Sequence, residues 1–170
     1  MSIYNYSHLR TKKKLLNILI IDDDVNISSL LKQFLELRGH SVKSIQEGIR
    51  GITQNNDNNY DLIFIDFHLD KDIGPNLTKN NLSYILDGSI LSELIINSKS
   101  NNKIIFGYTG DSNLSTINKF KDSGVNGVLF KPFDSNLLNK VMNAIENNPS
   151  FDKLHIAKLT MFNKNNIIIF

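Results

Sequence analysis

The chain has 170 residues, of which 41% are hydrophobic, and its formal net charge is +2. This length suits one domain with some excess at the ends, and the apolar fraction is sufficient for a buried core. The sequence contains no cysteine, which excludes disulfides, thiolate metal sites and a cysteine nucleophile. The small net charge argues against a nucleic-acid-binding surface.

The N-terminal residues 1–14 show no hydrophobic periodicity and contain a basic cluster at residues 10–14. We expect a flexible, solvated basic arm, with contact to phosphate or lipid as the alternative. The apolar run that follows, residues 15–21, contains Asn17 and ends in three aspartates. It is too short and too quickly charged for a signal peptide or a membrane span. We therefore expect a cytoplasmic protein with no membrane insertion.

The remaining chain alternates short apolar runs with segments of helical periodicity. Runs such as residues 15–21 are apolar at nearly every position, as in strands covered on both faces. Helices are indicated by apolar residues three and four positions apart. In chain order, the predicted elements are a strand at 15–21, a helix from about 27 to 38, a strand at 41–45, a weaker helix to about 55, a strand at 61–65, a helix at 89–97, a strand at 103–107, a helix from 114 to about 123, a strand at 127–130 and a helix from 137 to about 147.

Five buried strands alternating with five helices predict an α/β fold with a parallel sheet and helices on both faces. In such sheets, ligands bind beyond the carboxyl ends of the strands, near the point where the strand order reverses. The residues that carry the chemistry should therefore directly follow the strands.

The residues at these strand ends form one chemically consistent set. Asp22 and Asp23 follow the first strand, Asp66 the third, Thr109 the fourth and Lys131 the fifth. Converging carboxylates repel one another unless a cation neutralises them, and oxygen ligands favour a hard cation, with Mg²⁺ preferred because it keeps waters for an incoming phosphate. The lysine and the threonine hydroxyl can contact phosphoryl oxygens. Positioning and charge neutralisation of this kind suffice for in-line phosphoryl transfer.

Four segments, ILIIDDD, DLIFID, FGYTG and FKPF, occur in order on the predicted elements. Together they resemble the receiver domain of two-component response regulators over about residues 15–147. The resemblance implies a flavodoxin-like, doubly wound, five-stranded parallel sheet of strand order 2-1-3-4-5. It divides the chain into an arm at 1–14, a receiver domain at 15–148 and a C-terminal extension at 149–170.

The resemblance also implies a role for each strand-end residue. Asp66 is the phosphoacceptor, and the cofactor is Mg²⁺, held by Asp22, Asp23, Asp66 and the backbone carbonyl of His68. Thr109 senses the phosphoryl group and Lys131 pairs with the acceptor. Pro132 is expected to follow the lysine through a cis peptide bond.

A receiver takes its phosphoryl group from a phosphohistidine on a histidine kinase or a histidine phosphotransfer protein. It catalyses its own phosphorylation and dephosphorylation without being a conventional turnover enzyme. The extension at 149–170 is too short for a DNA-binding output domain, so we expect output through protein contacts to a downstream target. The expected surface is formed by the fourth helix, fifth strand and fifth helix. The apolar residues 166–170 are expected to add an edge strand or to dock as a tail.

Two features depart from the family pattern. The Asp87-Gly88 pair, which usually follows the acceptor closely, stands 21 residues after Asp66, so residues 69–86 contain an insertion. This insertion is either a partly ordered flap that alters access to Asp66 and the choice of partner, or a neutral surface loop. Val128 occupies a position that usually holds an aromatic switch residue, and Phe130 is either core or a substitute for it.

Several alternatives remain open at this stage. The three aspartates at 22–24 could cap a helix, and a pseudo-receiver, which binds proteins without being phosphorylated, would carry the same fold. A phosphatase of the haloacid dehalogenase type also uses a strand-end aspartate, but it needs a second aspartate where His68 stands. A nucleotide-binding flavodoxin-like protein is disfavoured, because the first strand ends in aspartates instead of a glycine-rich phosphate loop.

Overall fold

The computed structural model describes residues 13–57, 59–69, 87–98, 103–147 and 167–170. Its strands are β1 (Asn17–Ile21), β2 (Ser41–Ile45), β3 (Leu62–Ile65), β4 (Ile104–Thr109), β5 (Gly127–Phe130) and β6 (Ile167–Ile169). Its helices are α1 (Val25–Leu37), α2 (Gly48–Asp57), α3 (Gly88–Asn97), α4 (Leu114–Asp122) and α5 (Ser135–Asn147). None of the helices among these residues is long and apolar enough to cross a membrane.

The strands form one sheet of order β2-β1-β3-β4-β5-β6. Strands β1 to β5 are parallel to their neighbours, and β6 pairs antiparallel with β5. The predicted fold class and the strand order 2-1-3-4-5 are therefore confirmed, with β6 as an addition at the outer edge.

Two apolar layers enclose this sheet, one on each face. The first layer joins alternate strand residues to α1 and α5, and the second joins the intervening residues to α3 and α4. In β1, Ile18 and Ile20 belong to the first layer, whereas Leu19 and Ile21 belong to the second. Because successive side chains point to opposite faces, a strand buried on both sides must be apolar at every position, which explains the unbroken runs in the sequence.

A buried ion cluster closes the end of the sheet where the parallel strands begin. The Glu146 carboxylate contacts Arg38 Nε at 2.9 Å and His40 Nε2 at 2.8 Å. The other ring nitrogen of His40 accepts the Leu16 amide at 3.3 Å. Burial lowers the pKa of His40, in agreement with a neutral ring that accepts at Nδ1 and donates at Nε2. No partner for His40 could be predicted from the sequence, because its contacts come from distant parts of the chain.

The three segments predicted around the receiver domain are only partly described. Residues 1–12 of the predicted arm lie outside the described residues, but Lys13 and Lys14 are bound: Lys14 Nζ lies 2.8 Å from Asp61, and Lys13 Nζ lies 3.4 Å from Glu146. Of the predicted insertion, residues 70–86 also lie outside the described residues. Of the C-terminal extension, residues 149–166 are outside them, and 167–169 form β6, so this apolar tail is an edge strand.

Candidate functional site

The backbone ladder of the sheet fixes the two central aspartates at the carboxyl ends of β1 and β3. The Asp22 amide donates to Ile45 O at 3.0 Å, and the Asp66 amide donates to Ile21 O at 2.8 Å. Both residues therefore continue the hydrogen bonding of strands that are buried on both faces. Asp22 is 0% exposed and Asp66 is 6% exposed, so two carboxylates lie in a region of restricted hydration.

Asp22, Asp23 and Asp66 form a carboxylate cluster. One oxygen from each of the three lies within 4.8 Å of the other two. Asp24 has a different role, because its carboxylate accepts the amides of Asn26 and Ile27 and caps α1. The aspartate run thus divides between an N-cap at Asp24 and a site formed by its first two members.

Lys131 supplies the positive charge that faces this cluster. Its ammonium lies 2.8 Å from Asp22 Oδ2 and 2.9 Å from Asp66 Oδ2. Its Nζ also lies over the Tyr108 ring, 5.1 Å from the ring centroid. The predicted cis peptide bond between Lys131 and Pro132 is present. The lysine is thus held between β4 and the acceptor by contacts on several sides.

Burial is the main cause of the pKa shifts of Asp22 and Asp66. It raises the pKa of Asp66 above its usual value, and the Lys131 ammonium opposes this shift without cancelling it. Burial likewise raises the pKa of Asp22, where Lys131 acts in the same opposing sense. One lysine does not fully compensate three carboxylates, so the site favours additional positive charge.

The geometry of the cluster fits a hard divalent cation. Oδ2 of Asp22 is buried and meets no donor in hydrogen-bonding geometry among the described residues, although the Lys131 ammonium is close enough for an ion pair. A buried anionic oxygen whose close partner is one shared ammonium is suited to ligate a metal. Carboxylate oxygens are the ligand type that Mg²⁺ prefers.

Thr109 is the last residue of β4 and is fully buried. Its hydroxyl accepts the Asp111 amide at 3.1 Å, and its carbonyl accepts the Lys131 amide at 2.9 Å. The threonine and the lysine are therefore joined directly through the backbone. The predicted site residues lie together at the carboxyl ends of β1, β3, β4 and β5. Asp22 and Asp23 follow β1, Asp66 follows β3, Thr109 ends β4 and Lys131 follows β5.

The His68 side chain stays outside the carboxylate cluster. It is 59% exposed, and its Nε2 lies 3.6 Å from Asp111 Oδ2. The side chain is thus partly exposed, as expected, and the role of the backbone carbonyl as a metal ligand stays a prediction. Asp111 itself accepts the Asn113 amide and the Thr116 hydroxyl at the start of α4, and these hydrogen bonds hold its pKa below the usual value.

The start of α3 packs directly against the acceptor despite the long insertion. The Gly88 amide donates to Phe67 O at 2.9 Å, and a Cβ atom on Gly88 would lie 1.9 Å from Asp66 O. Asp87 caps α3, and Lys119 Nζ lies 3.1 Å from its carboxylate. The Asp87-Gly88 pair therefore occupies the place that the sequence assigned to it.

Val128 and Phe130 both belong to the apolar layer that contains α3 and α4. Val128 is fully buried, and Phe130 is 9% exposed. Phe130 is thus a core residue in this structure.

Two contributors to the site were missed by the sequence reasoning. Tyr108 supports the lysine, and Asp111 fixes the loop after β4. Asp111 stands shortly before an apolar helical stripe, where residues that cap a helix occur. Its role at the start of α4 could therefore have been predicted from the sequence. Tyr108 could not have been recognised in this way, because in the sequence it is simply one residue of the buried strand β4.

The family model described as the response regulator receiver domain matches residues 18–143. The chain belongs to this family. A curated relative, the CAI-1 autoinducer sensor kinase/phosphatase CqsS of Vibrio cholerae, is 32% identical over 127 residues, which cover 73% of this chain and 16% of that protein. The present chain thus corresponds to a small part of the length of that relative.

Solved structures show the same architecture. A two-component response regulator from Clostridium difficile is 27% identical, with a TM-score of 0.66 over 79% of this chain and 98% of that one. A CheY-like receiver domain protein from Methanospirillum hungatei is 22% identical, with a TM-score of 0.63 over 78% of this chain and 94% of that one; this second likeness concerns the fold alone.

Proposed function

We propose that this receiver domain accepts a phosphoryl group on the carboxylate of Asp66 in a Mg²⁺-dependent reaction. The observation that carries the proposal is the cluster of three carboxylates within 4.8 Å, two of them contacted by one lysine whose side chain is 9% exposed. A structural ion pair needs one carboxylate for one lysine. The excess negative charge at a strand-end crevice is instead suited to a cation and an incoming phosphoryl group.

Each residue then has a defined task. A carboxylate oxygen of Asp66 attacks phosphorus while the bond from phosphorus to the donor nitrogen breaks, and the imidazole leaves with that electron pair. Lys131, 2.9 Å from Asp66 Oδ2, neutralises charge on the phosphoryl oxygens. The Thr109 hydroxyl donates a hydrogen bond to one of these oxygens.

Asp22, Asp23, Asp66 and the His68 carbonyl would hold Mg²⁺. When bound, the ion supplies electrostatic stabilisation of the transferring phosphoryl group. In the later hydrolysis, water attacks phosphorus and the bond from phosphorus to the Asp66 oxygen breaks, so that Asp66 leaves as a carboxylate and inorganic phosphate carries away the protons of the water. The same groups can therefore serve dephosphorylation.

The proposed donor is the phosphohistidine of a histidine kinase or a histidine phosphotransfer protein. This assignment is supported by the family and by the relative that is named as a sensor kinase/phosphatase. Output would pass through contacts with a downstream protein, and we place the domain in the cytoplasm, where such donors act.

A pseudo-receiver that binds proteins without phosphorylation is the second candidate. The observation that favours it is Val128, which is buried at the position where an aromatic switch residue is expected. The intact set of Asp66, Thr109 and Lys131 favours phosphorylation.

Intact mass spectrometry after incubation with Mg²⁺ and acetyl phosphate tests the proposal. We expect a single phosphate adduct on the wild-type chain and none on Asp66→Asn or in the absence of divalent metal. Asp61→Asn is the matched control, because Asp61 pairs with Lys14 at the other end of β3, and it should be phosphorylated normally. Absence of an adduct on the wild-type chain, together with failure to bind beryllofluoride, would favour the interaction-only domain.

A further inference from the structure

Phe67, the residue after the acceptor, connects Asp66 to the helices α3 and α4. Its amide donates to Asp66 Oδ1 at 2.7 Å, and its carbonyl accepts the amide of Gly88, the first residue of α3, at 2.9 Å. Its ring is 7% exposed and packs edge-on against Phe120 of α4, with 5.4 Å between the ring centroids. The position of Phe67 is therefore coupled to the orientation of the acceptor carboxylate.

Lys119 of α4 contacts the residues on both sides of the segment that separates the acceptor from α3. Its ammonium lies over the Phe67 ring, 5.3 Å from the centroid, and 3.1 Å from Asp87 Oδ2. Asp87 is the N-cap of α3. We propose that Lys119 is a positioning residue for the phosphorylation of Asp66 and that it acts by holding Phe67 in place. This inference rests on the proposed function of Asp66.

The distance along the chain between the two partners of Lys119 gives this contact its purpose. Asp87 stands 20 positions after Phe67, so a tight turn does not fix one residue relative to the other. The hydrogen bond from Gly88 holds the backbone of Phe67. The Lys119 ammonium holds the ring through the π face and holds Asp87 through its charge. One side chain thus joins the residue after the acceptor to the start of α3.

The consequence for the acceptor follows from the way in which its two oxygens are held. Oδ1 accepts the Phe67 amide at 2.7 Å, and Oδ2 faces the Lys131 ammonium at 2.9 Å. Contacts at both oxygens fix the plane of the carboxylate, and the rate of group transfer depends steeply on the alignment of the attacking atom. A displaced Phe67 moves its amide, and the moved amide turns the carboxylate out of this alignment.

The exposure of Lys119 sets the size of the expected effect. Its side chain is 54% exposed, whereas that of Asp87 is 13% exposed, so solvent screens the ion pair. A cation over an aromatic ring at a partly exposed site corresponds to about two- to fivefold in an equilibrium constant. We expect a change of this size in the fraction of chains whose acceptor is aligned.

The test uses the full chain with matched variants of two lysines in the last turn of α4. Lys119→Met removes the charge and keeps the length of the side chain, whereas Lys119→Arg keeps a cation that can contact both the ring and the carboxylate. Lys121→Met is the control, because Lys121 is exposed and shares the last turn of α4 with Lys119. Both methionine variants therefore lose a similar interaction with the helix dipole.

The first measurement is the rate constant of phosphorylation by acetyl phosphate and Mg²⁺, followed by intact mass. We expect Lys119→Met to be slower than wild type by about two- to fivefold, Lys119→Arg to recover the rate, and Lys121→Met to match wild type. In a chain that already carries Phe67→Leu, the further change Lys119→Met should have no effect on the rate, because Lys119 acts through the Phe67 ring.

The second measurement is the NMR chemical shift of the Phe67 amide proton in the metal-free chain, which reports the hydrogen bond to Asp66 without requiring phosphorylation. Weakening of this charge-assisted bond should move the signal upfield in Lys119→Met and leave it unchanged in Lys119→Arg and Lys121→Met. If the wild-type chain is not phosphorylated, the proposed function fails, and this signal alone decides whether Lys119 positions the acceptor. Equal rates and equal amide shifts in the two methionine variants would overturn the proposal, as would a loss of rate that persists undiminished in the Phe67→Leu chain.

Discussion

Replacing the acceptor carboxylate by its neutral amide, Asp66→Asn, should stabilise the metal-free fold. At an effective dielectric constant of 20, each of the two like-charge contacts of Asp66, with Asp22 and Asp23 within 4.8 Å, costs at least about 3.5 kcal/mol, and the contact with Lys131 at 2.9 Å returns about 6 kcal/mol. These contributions nearly cancel, so the burial of the carboxylate decides the sign. We expect the free energy of unfolding at pH 7.5 to rise by about 1–3 kcal/mol.

Urea unfolding in EDTA at several pH values measures this effect. Burial raises the pKa of Asp66 in the folded chain above its ordinary value of 3.8. The penalty is therefore absent below about pH 4 and complete above the folded pKa, so the advantage of asparagine should grow as the pH rises between these limits.

The matched control is Asp61→Asn, which removes a charge that is well paired with Lys14; we expect a loss of up to about 1 kcal/mol. An Asp66→Asn chain that is no more stable than wild type at pH 7.5 would refute this reasoning. So would an advantage that shrinks as the pH rises.

Three further predictions concern stability. Glu146→Gln should lower the free energy of unfolding by about 2–4 kcal/mol, because it removes the buried carboxylate that compensates the partly buried Arg38 guanidinium. Glu36→Gln, at a half-exposed pair 3.7 Å long, should change it by less than about 0.5 kcal/mol; equal effects of the two substitutions in urea unfolding would contradict this. Gly88→Ala should lower the free energy of unfolding by about 3 kcal/mol or more, because the added Cβ would lie 1.9 Å from the Asp66 carbonyl oxygen. Gly110→Ala is the control, because nothing lies within 4 Å of a Cβ atom at that position. Addition of about 10 mM Mg²⁺ should raise the thermal midpoint of the wild-type chain by a few degrees and leave Asp23→Asn nearly unchanged; identical shifts in the two chains would argue against this metal site.

The fold and the central site could be predicted from the sequence because parallel strands that are covered on both faces are apolar at every position. The runs located the strands, and the sheet geometry then placed the residues that follow them, so Asp66 and Lys131 could be paired from positions 65 residues apart. Helix starts were less exact. The helix α5 begins at Ser135, whereas its apolar stripe begins only at Leu137.

Contacts between side chains from distant parts of the chain could not be predicted from the sequence. His40 and Glu146 are 106 positions apart, and neither lies in a pattern that distinguishes a buried pair from two surface residues. The position of β6 was similarly undetermined, because a short apolar run fits an edge strand and a docked tail equally well. Only its register with Gly127 separates the two.

The contact between Gly88 and the backbone at Asp66 and Phe67 has a consequence for tolerance to change. The chain leaves the acceptor after Leu69 and returns at Asp87, and both ends are fixed by hydrogen bonds or burial in the core. Closing a loop between fixed ends costs only about 0.6 kcal/mol for each doubling of its length. We therefore expect that lengthening the chain between these two fixed ends costs the sheet and its carboxylates little free energy.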